Sequence, residues 1–458
     1  MSDLHVGSGD PLLDGFGERQ QASWDGLLAA AGGNSGSPLG DGDDVELIIN
    51  GDGFDFQMVA PYGAGGVMGA GLAIEKLQNI AAAHRPFFHT LQAFLRQPGR
   101  RITFMTGNHD VELWFAEVRA GIMEALGLTH EDERVSFCPT RSYRPLPDVY
   151  IEHGNAHDFW NHDRSGFWDA SGRVKTTHPQ TITLPMDMLY LQSVGYPVLA
   201  RYMYLILFEP LLAMPRQLAL LCLLDPKMVV EFLQRLQEML ASETRSLPDR
   251  KLLDRVPQPD EKPITLFRQG IQLLMAFQRE AAARAPEWKE PRGRSAALWA
   301  KLQTLTDLVL PYLAVRSGSH VQDQTGAIRT IFALSAPPGD SVAPAIHPIL
   351  KSDHSLRYAL AGHTHRVRFD RLKSGAAQRQ VYLNTGSWLS PLALPRPEEV
   401  TPEVVAWLRK PTREHIPLRA VPPRCPFAFI QAANGRPANA SLCVWEGGSG
   451  GQYRVLAA

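Results

Sequence analysis

The sequence predicts a mixed-sheet α/β protein interrupted by a long, largely helical segment. Two observations carry this. Short apolar runs that lead into Gly- or Asp-containing turns recur at Val45–Asn50 (VELIIN), Arg101–Met105 (RITFM), Asp148–Glu152 (DVYIE) and Leu356–Ala361 (LRYALA), with a helical stretch between the first two. Between Phe159 and Ser352 the apolar residues instead recur every three or four positions, in Met186–Ala213, Leu218–Ser242 (interrupted at Pro226), Thr265–Arg284 and Ala296–Val315.

Taken in order, Ala31–Asp44 (AGGNSGSPLGDGDD) is rich in Gly, Ser and Asp and reads as a flexible surface loop. Val45–Asn50 is a buried strand that delivers Gly51-Asp52. Gly63–Gly71 (GAGGVMGAG) lacks the lysine of a P-loop and the strand–helix context of a dinucleotide fingerprint, so it reads as a mobile loop. Leu72–Leu95 is one long helix or two short ones, broken near His84-Arg85-Pro86. Arg101–Met105 feeds Gly107-Asn108-His109-Asp110, Asp148–Glu152 precedes His153, and Leu356–Ala361 precedes Gly362, with Val381–Asn384 as its partner. After Pro395 come two Pro-rich segments and the late strands Phe427–Ala432 and Ser441–Trp445, expected to pack outside the core.

With 458 residues and 44% hydrophobic content, the chain can bury a large core in two or three units. A net charge of -1 and no basic stripe exclude the electrostatic footprint of a nucleic-acid-binding protein. Cys138, Cys222, Cys425 and Cys443 are far apart and read as reduced thiols of an intracellular protein. The most apolar stretch, Pro197–Pro226, is interrupted by Arg201, Glu209, Pro210, Pro215 and Arg216, short of the ~18 consecutive apolar residues of a spanning helix. The expected location is cytoplasmic, with peripheral membrane contact through the insertion as a further expectation. Met186, Leu189, Tyr190, Leu191, Tyr202, Met203 and Tyr204 would line an apolar groove there.

Five polar motifs carry the chemistry: Asp3-Leu4-His5, Gly51-Asp52-Gly53-Phe54-Asp55, Gly107-Asn108-His109-Asp110, His153-Gly154-Asn155-Ala156-His157-Asp158 and Gly362-His363-Thr364-His365. Each alone has an ordinary alternative: a surface His-x-His, a Gly-Asp turn, an Asn in a left-handed turn. The i, i+2 spacing of Asp3/His5 and of His363/His365 places each pair on one face of an extended segment. In this order, the motifs resemble the signature of the calcineurin-like metallophosphoesterase superfamily: D-x-H, G-D-x-x-D, G-N-H-D/E, an isolated H, and G-H-x-H. The match spans residues 3–365, with no motif between the fourth and fifth elements.

That resemblance implies a four-layer α/β/β/α sandwich with a large helical insertion. Residues 1–158 and 352–395 would form the catalytic core, 159–351 a cap, and 396–458 an extension packed on the core. It also implies two divalent ions, Mn, Fe or Zn. Asp52 would bridge them, with Asp3, His5 and His365 completing one site and Asn108, His153 and His363 the other. His109 would face the leaving group, with Asp110 orienting its ring. Asp55 is expected to fix the tautomer of a ligand histidine and Asp158 to stand behind the ligands, whereas His157 and His162 read as local and Arg366 as an ordinary exposed residue. The implied reaction is hydrolysis of a phosphate ester or pyrophosphate by in-line attack of a metal-bridging hydroxide, on a phosphorylated small-molecule or lipid substrate. The chain also resembles the bacterial UDP-diacylglucosamine pyrophosphatases, but departs from them at His109, where they carry Arg, and in its longer insertion. The alternative from another class is a non-catalytic scaffold of the same fold, which would show a broken ligand set. Oligomeric state is left open. Only Met1 and Ser2 precede Asp3, fewer than the roughly five residues of a strand. The expectation is therefore an upstream start, or a frayed terminus pinned only by its metal.

Overall fold

The computed structural model describes residues 1–161 except 11–12, 34–36, 43, 62–66, 139 and 159–160. It also describes 179–183, scattered positions between 222 and 329, and 340–458 except 375–377, 390–395, 411–414, 416, 419–421 and 434. The described part is mixed α/β, with several sheets and flanking helices.

A three-stranded parallel sheet is built from β1 (Val45–Asn50), β3 (Arg100–Met105) and β4 (Val135–Phe137), in the order β1-β3-β4. Ahead of it lies α1 (Glu18–Ala31). Between β1 and β3 run β2 (Val67–Gly69), α2 (Ala70–Ala83) and α3 (Arg85–Leu95), and α4 (Ala116–Ala125) follows β3. The expected break near His84 is a real helix end, with Pro86 in the first turn of α3, where its missing N–H costs nothing. Phe87, Phe88, Leu91, Phe94 and Leu95 form the buried stripe of α3. Phe88 and Phe104 each stack on Phe54, fastening α3 and β3 to the loop after β1.

The second sheet has five strands in the order β5-β6-β8-β10-β9: β5 (Ser142–Tyr143), β6 (Val149–Glu152), β8 (Tyr358–Ala361), β10 (Gln378–Thr385) and β9 (Val367–Ser374). β6, β8 and β10 are parallel neighbours, and the outer strands are antiparallel. Its strands alternate between two cores, as a period of two requires. Val149, Ile151, Leu360, Val381 and Leu383 meet Met105 and Ile48 of the first sheet together with Ala440 and Leu442. Tyr150, Ala359, Ala361 and Tyr382 meet Val342, Ala343, Ile346 and Leu350 of α5 (Ala343–Ser352) and the residue before it. The late strands form an antiparallel sheet, β11 (Pro426–Ala433), β12 (Arg436–Glu446) and β13 (Gln452–Ala457).

Several expectations change. Val67–Gly71 is not loop: β2 pairs antiparallel with β7 (Thr181–Thr183) and runs directly into α2, while 62–66 lie outside the described residues. In the described part of 31–44, Leu39 and Gly40 are buried, and the Arg100 guanidinium donates to the carbonyls of Gly40 (2.9 Å) and Gly42 (3.1 Å). The N-terminal segment is not frayed. The Met1 amine donates to the Ile48 carbonyl (3.0 Å), Asn50 N–H to the Met1 carbonyl (2.7 Å) and Asp3 N–H to that of Gly51 (3.2 Å), and Ser2 to Val6 are all buried.

The chain divides into two compact units: 1–195 with 339–391 and 421–458, and 196–338 with 392–420. These boundaries differ from 159–351 and 396–458 for identifiable reasons. β7 is paired to β2, and Asp340 accepts from the Tyr382 hydroxyl (2.8 Å), which ties 340–352 to the first unit. In the second unit Arg329 donates to the Val400 carbonyl (3.0 Å), ahead of α6 (Pro402–Arg409), whose Val404, Val405, Trp407 and Leu408 are buried. Residues 265–273 there are helical, with Leu266, Phe267 and Leu273 wholly buried. The expected apolar groove at 186–204 lies outside the described residues. Among those described, no helix is long and apolar enough to cross a membrane. Cys138, Cys222, Cys425 and Cys443 are buried free thiols.

Leu383, wholly buried between the sheets, is a test of this packing. Leu383→Ala should destabilise the first unit by about 2–5 kcal/mol in urea unfolding followed by tryptophan fluorescence. Val455→Thr on the exposed face of β13 should stay within about 0.5 kcal/mol.

Candidate metal centre

The five motifs meet where the parallel strands end. β1 delivers 51–55, β3 delivers 107–110, β6 delivers 153–158 and β8 delivers 362–365, while Asp3–Val6 runs beside the first of these. The carboxyl ends of parallel strands are where α/β sheets gather ligands. Asn50, last in β1, joins the two sheets here: its Nδ2 donates to the Glu152 carbonyl and its own carbonyl accepts from His153 Nδ1, both at 2.8 Å.

The backbone at the site is unusual. Among the described residues six non-glycine positions have positive φ, and five are Asp3 (56°), His5 (52°), Asp52 (51°), His363 (69°) and His365 (55°). A left-handed conformation costs an L-residue roughly 1–2 kcal/mol and persists where surrounding contacts over-determine it. The extended geometry expected for Asp3/His5 and His363/His365 is therefore replaced by left-handed kinks. Glycine is required at two close approaches. A Cβ at Gly107 would lie 2.2 Å from Asp52 Oδ1, and one at Gly362 would lie 2.2 Å from Ser2 Oγ and 2.5 Å from Asp3 Oδ2.

These kinks bring the side chains together in two sets, beside a third group in which His5 meets Asp55 and His109. Ligand atoms of Asp3, His5 and His365 lie within 4.8 Å of one another, and so do those of Asp52, His153 and His363. Asp52 Oδ2 stands between the sets, 3.1 Å from His153 Nε2 and 4.0 Å from His5 Nε2. Asn108 Oδ1 joins the second set, 3.1 Å from His363 Nδ1.

The hydrogen-bond network assigns the tautomers. A carboxylate or carbonyl only accepts, so His5 carries its proton on Nδ1, toward Asp55 Oδ2 (3.2 Å), and His153 on Nδ1, toward the Asn50 carbonyl. His363 carries its proton on Nε2, toward Asp158 Oδ2 (3.0 Å). The remaining nitrogens then aim lone pairs at other acceptors: His153 Nε2 at Asp52 Oδ2, and His363 Nδ1 at Asn108 Oδ1. His153 Nε2 is buried, and Asp52 Oδ2 is the atom it faces. In the other set His5 Nε2 faces His365 Nε2 at 3.1 Å, and the latter lies 3.3 Å from Asp3 Oδ1, so a proton on His365 Nε2 can serve either neighbour. Acceptors facing acceptors repel unless a cation or an extra proton lies between them. The second set therefore fits a divalent cation, and the first offers three ligand atoms close enough together to hold one; imidazole nitrogen and oxygen without sulfur suit Mn, Fe or Zn.

Charge follows the same pattern. Burial would raise the Asp52 pKa, but the charges of His153, His109 and His5 outweigh it and hold the carboxyl well below its usual range. Burial opposes a second proton on His153, yet the Asp52 carboxylate pushes its pKa up to about 9. Asp110 is pushed up to about 7 by burial and by Asp52, against the N–H donors that favour its charge.

The role expected of Asp110 belongs to Asp55. Asp110 accepts the backbone N–H groups of Gly107 (2.6 Å) and Gly53 (2.8 Å), so it shapes the two loops and does not orient the His109 ring. Asp55 Oδ1 pairs with His109 Nδ1 at 2.9 Å while its Oδ2 holds His5, which locks both rings from one buried carboxylate. His109 keeps an edge open to solvent, its side chain 14% exposed. His157 is held by Glu152 Oε1 (2.5 Å), in keeping with a local role, and His162 lies outside the described residues.

Two supporting residues have no motif to announce them. Asp340 accepts from Tyr382, from Asn384 Nδ2 (3.3 Å) and from Thr364 Oγ1 (3.3 Å), bracing the 362–365 loop from behind. Asn161 bonds both Asn108 and Asp158. Each is one polar residue in a long polar or irregular stretch, and only its partners mark it. No known protein family and no curated protein sequence matches the chain significantly.

Because His153 holds an extra proton up to about pH 9, a cation at Nε2 must displace it. Apparent metal affinity should therefore rise with pH, by up to about tenfold per unit for one displaced proton, and level off above about pH 9. Mn²⁺ titrations at pH 6, 7 and 8 check this, and an affinity flat across that range would contradict it.

Proposed function

We propose that this chain is a dinuclear metal-dependent phosphoesterase of the calcineurin-like type, cleaving a phosphate ester or pyrophosphate. What supports the reading is the pair of neighbouring imidazole–carboxylate sets on a strained backbone, with Asp52 Oδ2 3.1 Å from His153 Nε2 of its own set and 4.0 Å from His5 Nε2 of the other. The corresponding four-layer α/β/β/α architecture belongs to the same proposal. It is supported by α5 on one face of the five-stranded sheet, Ile48 and Met105 of the first sheet toward the other, and α3 fastened to β3 through the phenylalanine stack.

Two divalent ions bound by these residues would polarise the phosphoryl oxygens and acidify the attacking water. The protein's own part is positioning and proton transfer. His109, with Nδ1 tied to Asp55, is left with Nε2 to hand a proton to the departing oxygen as the bond to phosphorus breaks. Asp55 holds the ring's orientation and stabilises its charged form, as a buried carboxylate beside an imidazole does. The intact donor set weighs against the scaffold alternative.

Two variants test the assignment. Asp52→Ala should lose both metal ions and turnover, and two ions per chain with normal rates would refute its bridging role. His109→Ala should keep its metal, measured by elemental analysis, yet lose about 10²–10⁴-fold in rate on alkyl phosphates with Mn²⁺. The loss should shrink on p-nitrophenyl esters, whose leaving group needs no proton. Equal losses on both substrates would make His109 structural.

A further inference from the structure

We propose that Asn161 is a positioning residue for the second metal set, fixing which atom of Asn108 and which nitrogen of His363 face the ion. This rests on the metal-centre reading above. Asn161 Nδ2 donates to Asp158 Oδ2 at 2.7 Å, and its Oδ1 accepts from Asn108 Nδ2 at 3.2 Å. Its backbone is held as well: the carbonyl accepts from Asn155 Nδ2 (3.1 Å) and the N–H donates to the Asp158 carbonyl (3.3 Å). Asp158 Oδ2 in turn accepts from His363 Nε2 at 3.0 Å, and His363 Nδ1 faces Asn108 Oδ1 at 3.1 Å. The four side chains Asn108, Asn161, Asp158 and His363 thus close a ring, and Asn108 and Asp158 are almost wholly buried.

The ring has one chemical sense. A carboxamide ligand binds a cation through oxygen, never through its NH₂ group, so Asn108 works only if its NH₂ is turned away. Asn161 Oδ1 supplies the acceptor that turns it. A histidine ligand works only if one nitrogen keeps the proton and the other points at the ion, and the Asp158 carboxylate sets that choice. Asn161 Nδ2 holds that carboxylate in place. Only a group that donates at one end and accepts at the other can serve both neighbours. Alanine serves neither, and aspartate keeps an acceptor for Asn108 but sets a second carboxylate against Asp158.

The experiment is a calorimetric Mn²⁺ titration of the full chain, comparing wild type with Asn161→Ala and the near-isosteric Asn161→Asp. Wild type should take up two ions. Both variants should keep one at native affinity and bind the other about 10–100-fold more weakly, the usual cost of removing a partner behind a metal ligand. Two ions at native affinity in both variants would overturn this inference and leave the metal centre standing. Equal weakening of both ions would also overturn it, assigning Asn161 to the general order of its loop. A wild-type chain that takes up no Mn²⁺ would overturn the metal-centre reading and this inference with it.

Discussion

The carboxylate of Asp52 is the constraint around which the site is arranged. It is almost wholly buried at the end of β1, and removing such a charge from water costs several kcal/mol unless partners compensate. The compensation comes from two other segments. His109 donates its backbone N–H to Oδ1 at 2.8 Å, and His153 Nε2 lies 3.1 Å from Oδ2. Satisfying this one acid draws the loop after β3 and the loop after β6 to the same point, and the N-terminal segment joins them through its own backbone, His5 N–H donating to the Asp52 carbonyl at 3.0 Å. Gly107 is part of that cost, since a side chain there would occupy the space of Asp52 Oδ1.

Around Asp52 other buried acids each hold a neighbour. Asp55 locks His5 and His109, Asp158 sets His363, Asp110 gathers two loop backbones, and Asp340 braces the loop after β8. The left-handed residues are the strain stored in that organisation, and the two sheets, packed through Ile48, Met105, Ile151, Leu360 and Leu383, are the rigid frame that holds it.

Much of this was legible in the sequence. The strands that deliver the motifs were, because each of those apolar runs is bounded by a Gly-containing motif, and β1 has the predicted bounds; β2, β4, β5, β7, β9 and β13 were not. The break between α2 and α3 was, because Pro86 suits the first turn of a helix and so marks a new start. The boundaries of the units were not, because they depend on β7 returning to β2 and on Asp340 reaching Tyr382, pairings that no local pattern announces. Arg100 likewise holds the carbonyls of Gly40 and Gly42, contacts that the composition of that stretch does not announce.

At the site the division is sharper. By itself the sequence determined which residues are chemically able to bind metal, and in what order, because donor type is a property of the side chain and motif spacing a property of the chain. Only the tertiary structure decided what each contacts. The transfer of ring orientation from Asp110 to Asp55, the left-handed backbone of five candidate ligands, and the part played by Asn161 all depend on folded contacts. The contacts that settle the tautomer and facing of His5 and His363 join residues 50 to 255 positions apart. Hydrogen-bond direction is set by the atom across the gap, and that atom is supplied by a different strand end.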